Sequence, residues 1–176
     1  MRAAPLAFLL LLALQPGMAP AQEPFDFVDL ADGVFAAMVR PDPPMAVFAN
    51  ALVVIGSESV LVVDTHQSPS AARIVIDEIR RRTDRPVRWV VHTHWHGDHV
   101  YGDVAYREAF PDAVFVGHRT FAEDLANQGA ARLAEELASL PGSIADRVRW
   151  IETGSGPQGE ATSAADRSAV ERSLTL

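Results

Sequence analysis

The 176-residue sequence contains no cysteine. No disulfide can staple it, no thiolate can ligate a metal, and no lipid anchor can be built on a cysteine, so stability must come from packing or from metal bound through nitrogen and oxygen. Basic residues are also scarce, 15 against 23 acidic ones. Nucleic acid is excluded as a partner, because phosphate binding needs a basic surface. No apolar run approaches the roughly 20 residues that cross a bilayer. The longest, Leu6 to Leu14, follows Arg2 and precedes Ala19-Pro20-Ala21. That order of positive end, short apolar run and small-residue cleavage site describes a secretory signal over residues 1–21, with Gln22 opening the mature chain. Loss of Arg2 leaves 14 basic against 23 acidic residues, a formal charge of -9. The expected address is periplasmic or secreted, with no membrane association after cleavage.

Composition is otherwise that of an ordinary globular domain, 48% hydrophobic and 22% charged, and only the far C-terminal stretch has the composition of a disordered segment. Residues 22–176 are expected to form one domain. There is no internal repeat. Phe25 to Leu30 and Val34 to Arg40 flank Asp32-Gly33 as a hairpin, and Pro41-Asp42-Pro43-Pro44 must be a loop. Ala46 to Ile55 and Val60 to Val63 flank Gly56-Ser57-Glu58-Ser59 as a second hairpin.

From Ser68 the period becomes helical, with Ala72, Val75, Ile76 and Ile79 on one face and Arg80, Arg81 and Arg82 at the C-terminal end, where cations suit the helix dipole. Val87 to Val91 reads as a buried strand and Ala113 to Val116 as a short one. Thr120 to Leu140 reads as a helix with Phe121, Leu125, Leu133, Leu137 and Leu140 near one face, stopped by Pro141-Gly142. Gly154 to Ala165 reads as a surface loop. Hairpins followed by alternating strands and helices predict an α/β (α+β) fold, a mixed sheet with helices on its outer face.

Four of the six histidines lie in His92-Thr93-His94-Trp95-His96-Gly97-Asp98-His99. Zinc takes neutral imidazole nitrogen and carboxylate oxygen, and a catalytic zinc keeps one position open for water. In an extended loop, side chains two apart point the same way, so His94 and His96 can share one ion. Asp98 and His99 can face a second ion if the chain turns into a helix there, and two cations clamping one hydroxide lower its pKa towards neutrality. Gly97 lets the backbone bend around the ions. Asp98 is also a candidate helix N-cap. Asp64 ends the apolar run Leu61-Val62-Val63, where an unpaired carboxylate is costly; it is expected to accept hydrogen bonds near the metal loop, or else to be a strand-end turn residue. His92 alternates with His94 and is expected behind the ligands as a strand residue. Trp95 is expected to pack the loop, and His66 and His118 to be satisfied surface histidines.

At these residues the sequence resembles the metallo-β-lactamase superfamily, whose signature Thr-His-x-His-x-Asp-His matches Thr93 to His99 at every fixed position. The resemblance runs from Phe25 to Leu140 and includes Asp64 at the family's strand-end aspartate. It implies a four-layer αβ/βα sandwich, up to two zinc ions, His94 and His96 as ligands of the first, and Asp98 and His99 as ligands of the second, with Asp98 in the catalytic centre and Asp64 and His92 behind the ligands. It also implies a hydrolase acting on a small-molecule substrate, with metal-bound hydroxide attacking a carbonyl or ester-type bond. His92 stands where many members have asparagine. Members take further histidines and a bridging aspartate from a second half domain, whereas no histidine follows His118 here. The expectation is therefore the N-terminal half of a sandwich, a C-terminally truncated piece, with a non-catalytic metal-binding module as the alternative.

Overall fold

The computed structural model describes residues 24–40, 49–156 and 159–173. The expected signal segment, the loop at Pro41 to Pro44 and the first residues of the expected strand from Ala46 lie outside them. Six strands form one sheet in the order β1-β2-β3-β4-β5-β6. They are Phe25–Ala31, Val34–Val39, Ala51–Ile55, Val60–Val63, Val87–Val91 and Val114–Val116. The first four pair antiparallel, as two-residue and four-residue turns allow, and the last two join parallel through helical crossovers. The third strand runs from Ala51, shorter than the expected start at Ala46.

Helix α1 (Pro69–Arg82) begins as its sequence dictates. Ser68 caps it by accepting from the Ala71 amide, Pro69 occupies the first turn, and the three arginines close it. Ala72, Val75, Ile76 and Ile79 are fully buried. They rest on one face of the sheet, whose central rung is Phe35, Val53, Val62, Val90 and Phe115 in register across five strands. Each fully buried side chain of this size contributes about 1.5–3 kcal/mol. Glu78 is the charged residue on that buried face. Hydrogen bonds from Arg81, with Arg82 beside it, hold its carboxyl below the usual range, and Arg82 also lies over the Phe35 ring at 4.2 Å, tying α1 to the sheet.

The strand Val87–Val91 is buried on that face alone. The sheet's other face carries a second set of apolar rungs, Val28-Ala36-Leu52-Val63-Val91-Val116 and Val34-Val54-Leu61-Trp89-Val114. Much of this face is open: Val28 and Val116 are exposed and Trp89 and Val114 are nearly half exposed, although Ala36 is buried. This is the half-built sandwich that the resemblance implied.

After β5 the chain forms α2 (Gly97–Val100) and α3 (Asp103–Ala109), and α3 packs on α1 with Tyr106 fully buried. The expected helix from Thr120 is present, but Pro141 does not stop it. Phe121–Asp124 (α4), a π-helical turn at Leu125–Gly129, and α5 (Ala130–Thr153) run on through the proline to Gly154, whose φ of 66° makes it a left-handed cap. The carbonyl that Pro141 leaves without an amide partner lies on a helix with no buried residue, so water can take that bond. The stripe Leu133, Leu137 and Leu140 exists, extended by Ile144 and Val148, yet all five side chains are exposed. The described residues of the expected loop from Gly154 to Ala165 are irregular apart from a bridge between Ser155 and Ala161, and the loop ends slightly early, at the start of α6 (Ala164–Ser173). The stretch expected to be disordered is therefore helical over those residues.

Candidate metal centre

Parallel strands β4 and β5 end side by side, and the chain emerging from each supplies one half of the site. From β4 come Asp64, Thr65 and His66. Asp64 (φ 62°) and His66 (φ 70°) both take the left-handed conformation, tolerated by Asp and His better than by branched residues. The double reversal turns the Asp64 carboxylate under the neighbouring loop. There Oδ1 accepts from the Thr93 amide at 2.9 Å, and Oδ2 lies 2.8 Å from both the Thr93 hydroxyl and His99 Nδ1. The expected hydrogen-bonding role of Asp64 is what the geometry displays, at a strand end that is also a turn.

From β5 comes the histidine run. The His94 ring lies 4.6 Å from the His96 ring and 4.0 Å from that of His99, centroid to centroid. Asp98 Oδ2 is 3.4 Å from His99 Nε2. Asp98 sits inside the first turn of α2 and not at its cap, which is His96 and makes no side-chain capping bond. All four expected ligands thus share one mouth, each side chain partly exposed.

Hydrogen bonding prepares their ring nitrogens. His99 Nδ1 faces an aspartate that can only accept, so in the neutral ring the proton lies on Nδ1 and Nε2 keeps its lone pair. The Thr93 hydroxyl donates to Asp64 and lies 3.0 Å from His94 Nδ1. His94 therefore donates from Nδ1, and its Nε2 is also a free acceptor. Burial, reinforced by the neighbouring His99 and His96, lowers the His94 pKa and favours the neutral ring that a cation needs.

The donor set fits zinc. Two ligands on one tetrahedral zinc stand about 3.3 Å apart, given bonds of about 2.0–2.1 Å, and Asp98 Oδ2 and His99 Nε2 meet that spacing. Among the described residues no three such donors already surround a single point, so side-chain rotation must complete a coordination shell.

Around this centre the other expectations divide. Trp95 packs as expected, its ring edge-on to His96 at 4.7 Å and beside Gly129 of the π-helical turn. His118 is exposed beside Thr120. His66 is a correction: it is fully buried, stacked on Phe25 at 4.4 Å, with Nδ1 2.6 Å from the Ala49 carbonyl. The turn after Asp64 folds it into the core, and burial pushes its pKa down to about 4.

That burial makes a prediction. Unfolded His66 binds its proton near pH 6.5 and the folded protein refuses it until about pH 4. Stability should be intact above pH 6.5 and decline as pH falls to about 4, by up to roughly 3 kcal/mol. Denaturant titrations at several pH values check it. A His66→Phe protein with the same acid slope as wild type would show that another group is responsible.

His92 is buried, with its ring stacked on Phe121 and Nε2 3.2 Å from Asp103 Oδ2. Asp103 and Thr65 are the residues that sequence reasoning missed. The available signal was spacing: Asp103 lies four residues after His99, one helical turn on. A polar cleft of about 510 Å³ beside Trp95, lined by Arg132, Glu135 and Glu136, was equally hidden. A larger cavity of about 600 Å³ between α5 and α6 shares no residue with the motif.

Comparison with known proteins bears on the family and the fold. A 49-residue stretch, 28% of this chain and 9% of the relative, is 39% identical to a Linear primary-alkylsulfatase of Pseudomonas sp.. Among solved structures, the metallo-beta-lactamase FIM-1 from Pseudomonas aeruginosa in its mono-zinc form is similar with a TM-score of 0.51 at 24% identity, covering 62% of this chain and 49% of that one. A metallo beta lactamase from Hirschia baltica gives a TM-score of 0.52 at 21% identity, with 60% and 48% covered. The chain spans about half the length of these solved relatives, whose likeness establishes the fold. The sequence profile of the metallo-beta-lactamase superfamily matches residues 45–161, well over half of the chain, and on that match the chain belongs to the metallo-beta-lactamase superfamily.

Proposed function

We propose that the whole protein is an exported, zinc-dependent hydrolase that cleaves a carbonyl or ester-type bond in a small molecule. One observation carries this reading: His94, His96, Asp98 and His99 converge at the ends of two parallel strands, with Asp64 and Thr93 holding the Nδ1 side of His94 and His99 so that their Nε2 atoms face outwards. His94 and His96 would hold one ion, and Asp98 and His99 a second. Bound zinc supplies a Lewis acid and an acidified water at neutral pH.

The chain's own residues bind and orient. Asp64 and Thr93 fix the ring tautomers. Asp98, a quarter exposed at the mouth, can accept a proton from the attacking water as catalytic residue. The stretch similar to an alkylsulfatase puts sulfate esters beside β-lactams, lactones and thioesters among the substrates to test. Among the described residues no helix is long and apolar enough to cross a membrane, compatible with a periplasmic or secreted address. A non-catalytic metal-binding module is the second reading, favoured by the single fact that the motif supplies only two donors to each ion.

The whole protein should bind close to two zinc equivalents. His96→Ala should lose the first, and Asp98→Ala should weaken the second by more than about a hundredfold. Metal analysis of dialysed protein, paired with hydrolysis of the four substrate classes, tests this. Equal zinc content in all three proteins would refute the ligand assignment, and zinc bound without any hydrolysis would favour the module.

A further inference from the structure

We propose that Asp103 is a positioning residue of this metal centre, acting through His92 and Thr65 to reserve Asp64 for His99. The inference rests on the metal-site reading for its purpose, but its geometry is independent of any ion.

Asp103 stands at the start of α3, and its two carboxylate oxygens reach in different directions. Oδ1 is 2.8 Å from the Thr65 hydroxyl and Oδ2 is 3.2 Å from His92 Nε2. Each partner touches the His99 support in turn. The Thr65 amide donates to the His99 carbonyl at 2.8 Å, and its hydroxyl lies 3.1 Å from the same oxygen. Among the described residues His92 Nδ1 has no hydrogen-bond partner, and it lies 3.9 Å from Asp64 Oδ1.

The chemistry then turns on where His92 carries its proton. A carboxylate at Nε2 can only accept, so in the neutral ring Asp103 keeps the proton on Nε2 and leaves Nδ1 bare. A bare Nδ1 cannot donate to Asp64, whose oxygens stay committed to Thr93 and His99. Without Asp103 the other tautomer becomes favourable, because Nδ1-H would gain the nearby Asp64 Oδ1 as an acceptor. Asp64 would be drawn towards His92, and the hydrogen bond that orients His99 would lengthen. The surroundings favour a fixed arrangement, since the His92 ring is held 5.0 Å from the Phe121 ring, nearly parallel to it.

The test is imidazole nitrogen NMR on the intact, metal-stripped protein, joined to zinc titration. Wild type should show His92 protonated at Nε2 and His99 at Nδ1. Asp103→Asn, whose amide can keep Thr65 through its oxygen while offering N-H to His92, should move the His92 proton to Nδ1 and broaden or shift the His99 signals. Its second zinc should bind about 10–100-fold more weakly, the usual cost of losing an outer-shell partner, with the first unchanged. Thr65→Val, which keeps Asp103 on His92, should leave the His92 tautomer as in wild type. A wild-type His92 protonated at Nδ1 would overturn the proposal outright. So would an Asp103→Asn protein with unaltered His92 and His99 resonances. If wild type binds no zinc, the hydrolase reading fails while the tautomer measurement still decides the role of Asp103.

Discussion

Gly102→Ala is expected to destabilise the protein by about 3 kcal/mol or more and to abolish tight zinc binding. A Cβ at this position would sit 1.8 Å from the Thr65 carbonyl oxygen and 2.8 Å from the Ala72 Cβ. The first contact is with backbone, so no side-chain rotation relieves it, and overpacking of this kind forces a main-chain shift. The shift would fall where it does most harm. Gly102 donates its amide to the His66 carbonyl, and the Thr65 amide holds the His99 carbonyl. Moving α3 away from the β4 turn therefore pulls both halves of the metal centre apart. Thermal unfolding and zinc retention after dialysis measure the two effects. The double variant Gly102→Ala/Ala72→Gly removes only the side-chain contact and should not recover. A single variant melting within about 2 °C of wild type with its zinc intact would mean that the close approach does not matter.

The second large effect concerns the sheet. Residues 22–176 prepared alone should self-associate or bind hydrophobic dye, and should show no hydrolysis above that of free zinc. Val28, Leu30, Met38, Trp89, Val114 and Val116 are all substantially exposed, and the register sets most of them side by side on one face of the sheet. Apolar patches beyond a few hundred Å² on a soluble protein mark surfaces that another surface covers. Burial would return about 1.5–3 kcal/mol for each large side chain, which over several residues is comparable to the whole stability of a domain. Trp89→Arg with Val114→Arg should reduce both association and dye binding, because charges in the middle of the patch oppose its burial. Light scattering that shows a monomer at high concentration, with no dye binding and a cooperative melt, would remove the case for an open sheet face.

How much of this was legible beforehand depended on range along the chain. The motif could be read because its four expected ligands are packed into six residues, and because strand alternation and a helical turn act over the same short distance. Helix α1 could be read because its cap, its proline, its apolar period and its terminal arginines all act within the helix itself. Asp64 was found because a carboxylate at the end of an apolar strand needs partners, and Thr93 and His99 supply them. His66 was misplaced because a lone polar residue after a strand reads as exposed. Only the left-handed turn at Asp64 and His66 rotates it onto Phe25. Pro141 was overvalued as a stop because the rule assumes that a lost hydrogen bond is costly. On a helix with no buried side chain, water can substitute for it.

The sequence by itself determined the two hairpins, helix α1, the strand that leads into the histidine run, and the family to which that run belongs, since each follows from spacing within a few residues or from side-chain chemistry. Tertiary structure alone decided which sheet face is covered, that Asp103 reaches His92 and Thr65, and that residue 102 must be glycine. Those outcomes depend on how β4, α1 and α3 approach one another, a distance between segments tens of residues apart that no local pattern encodes.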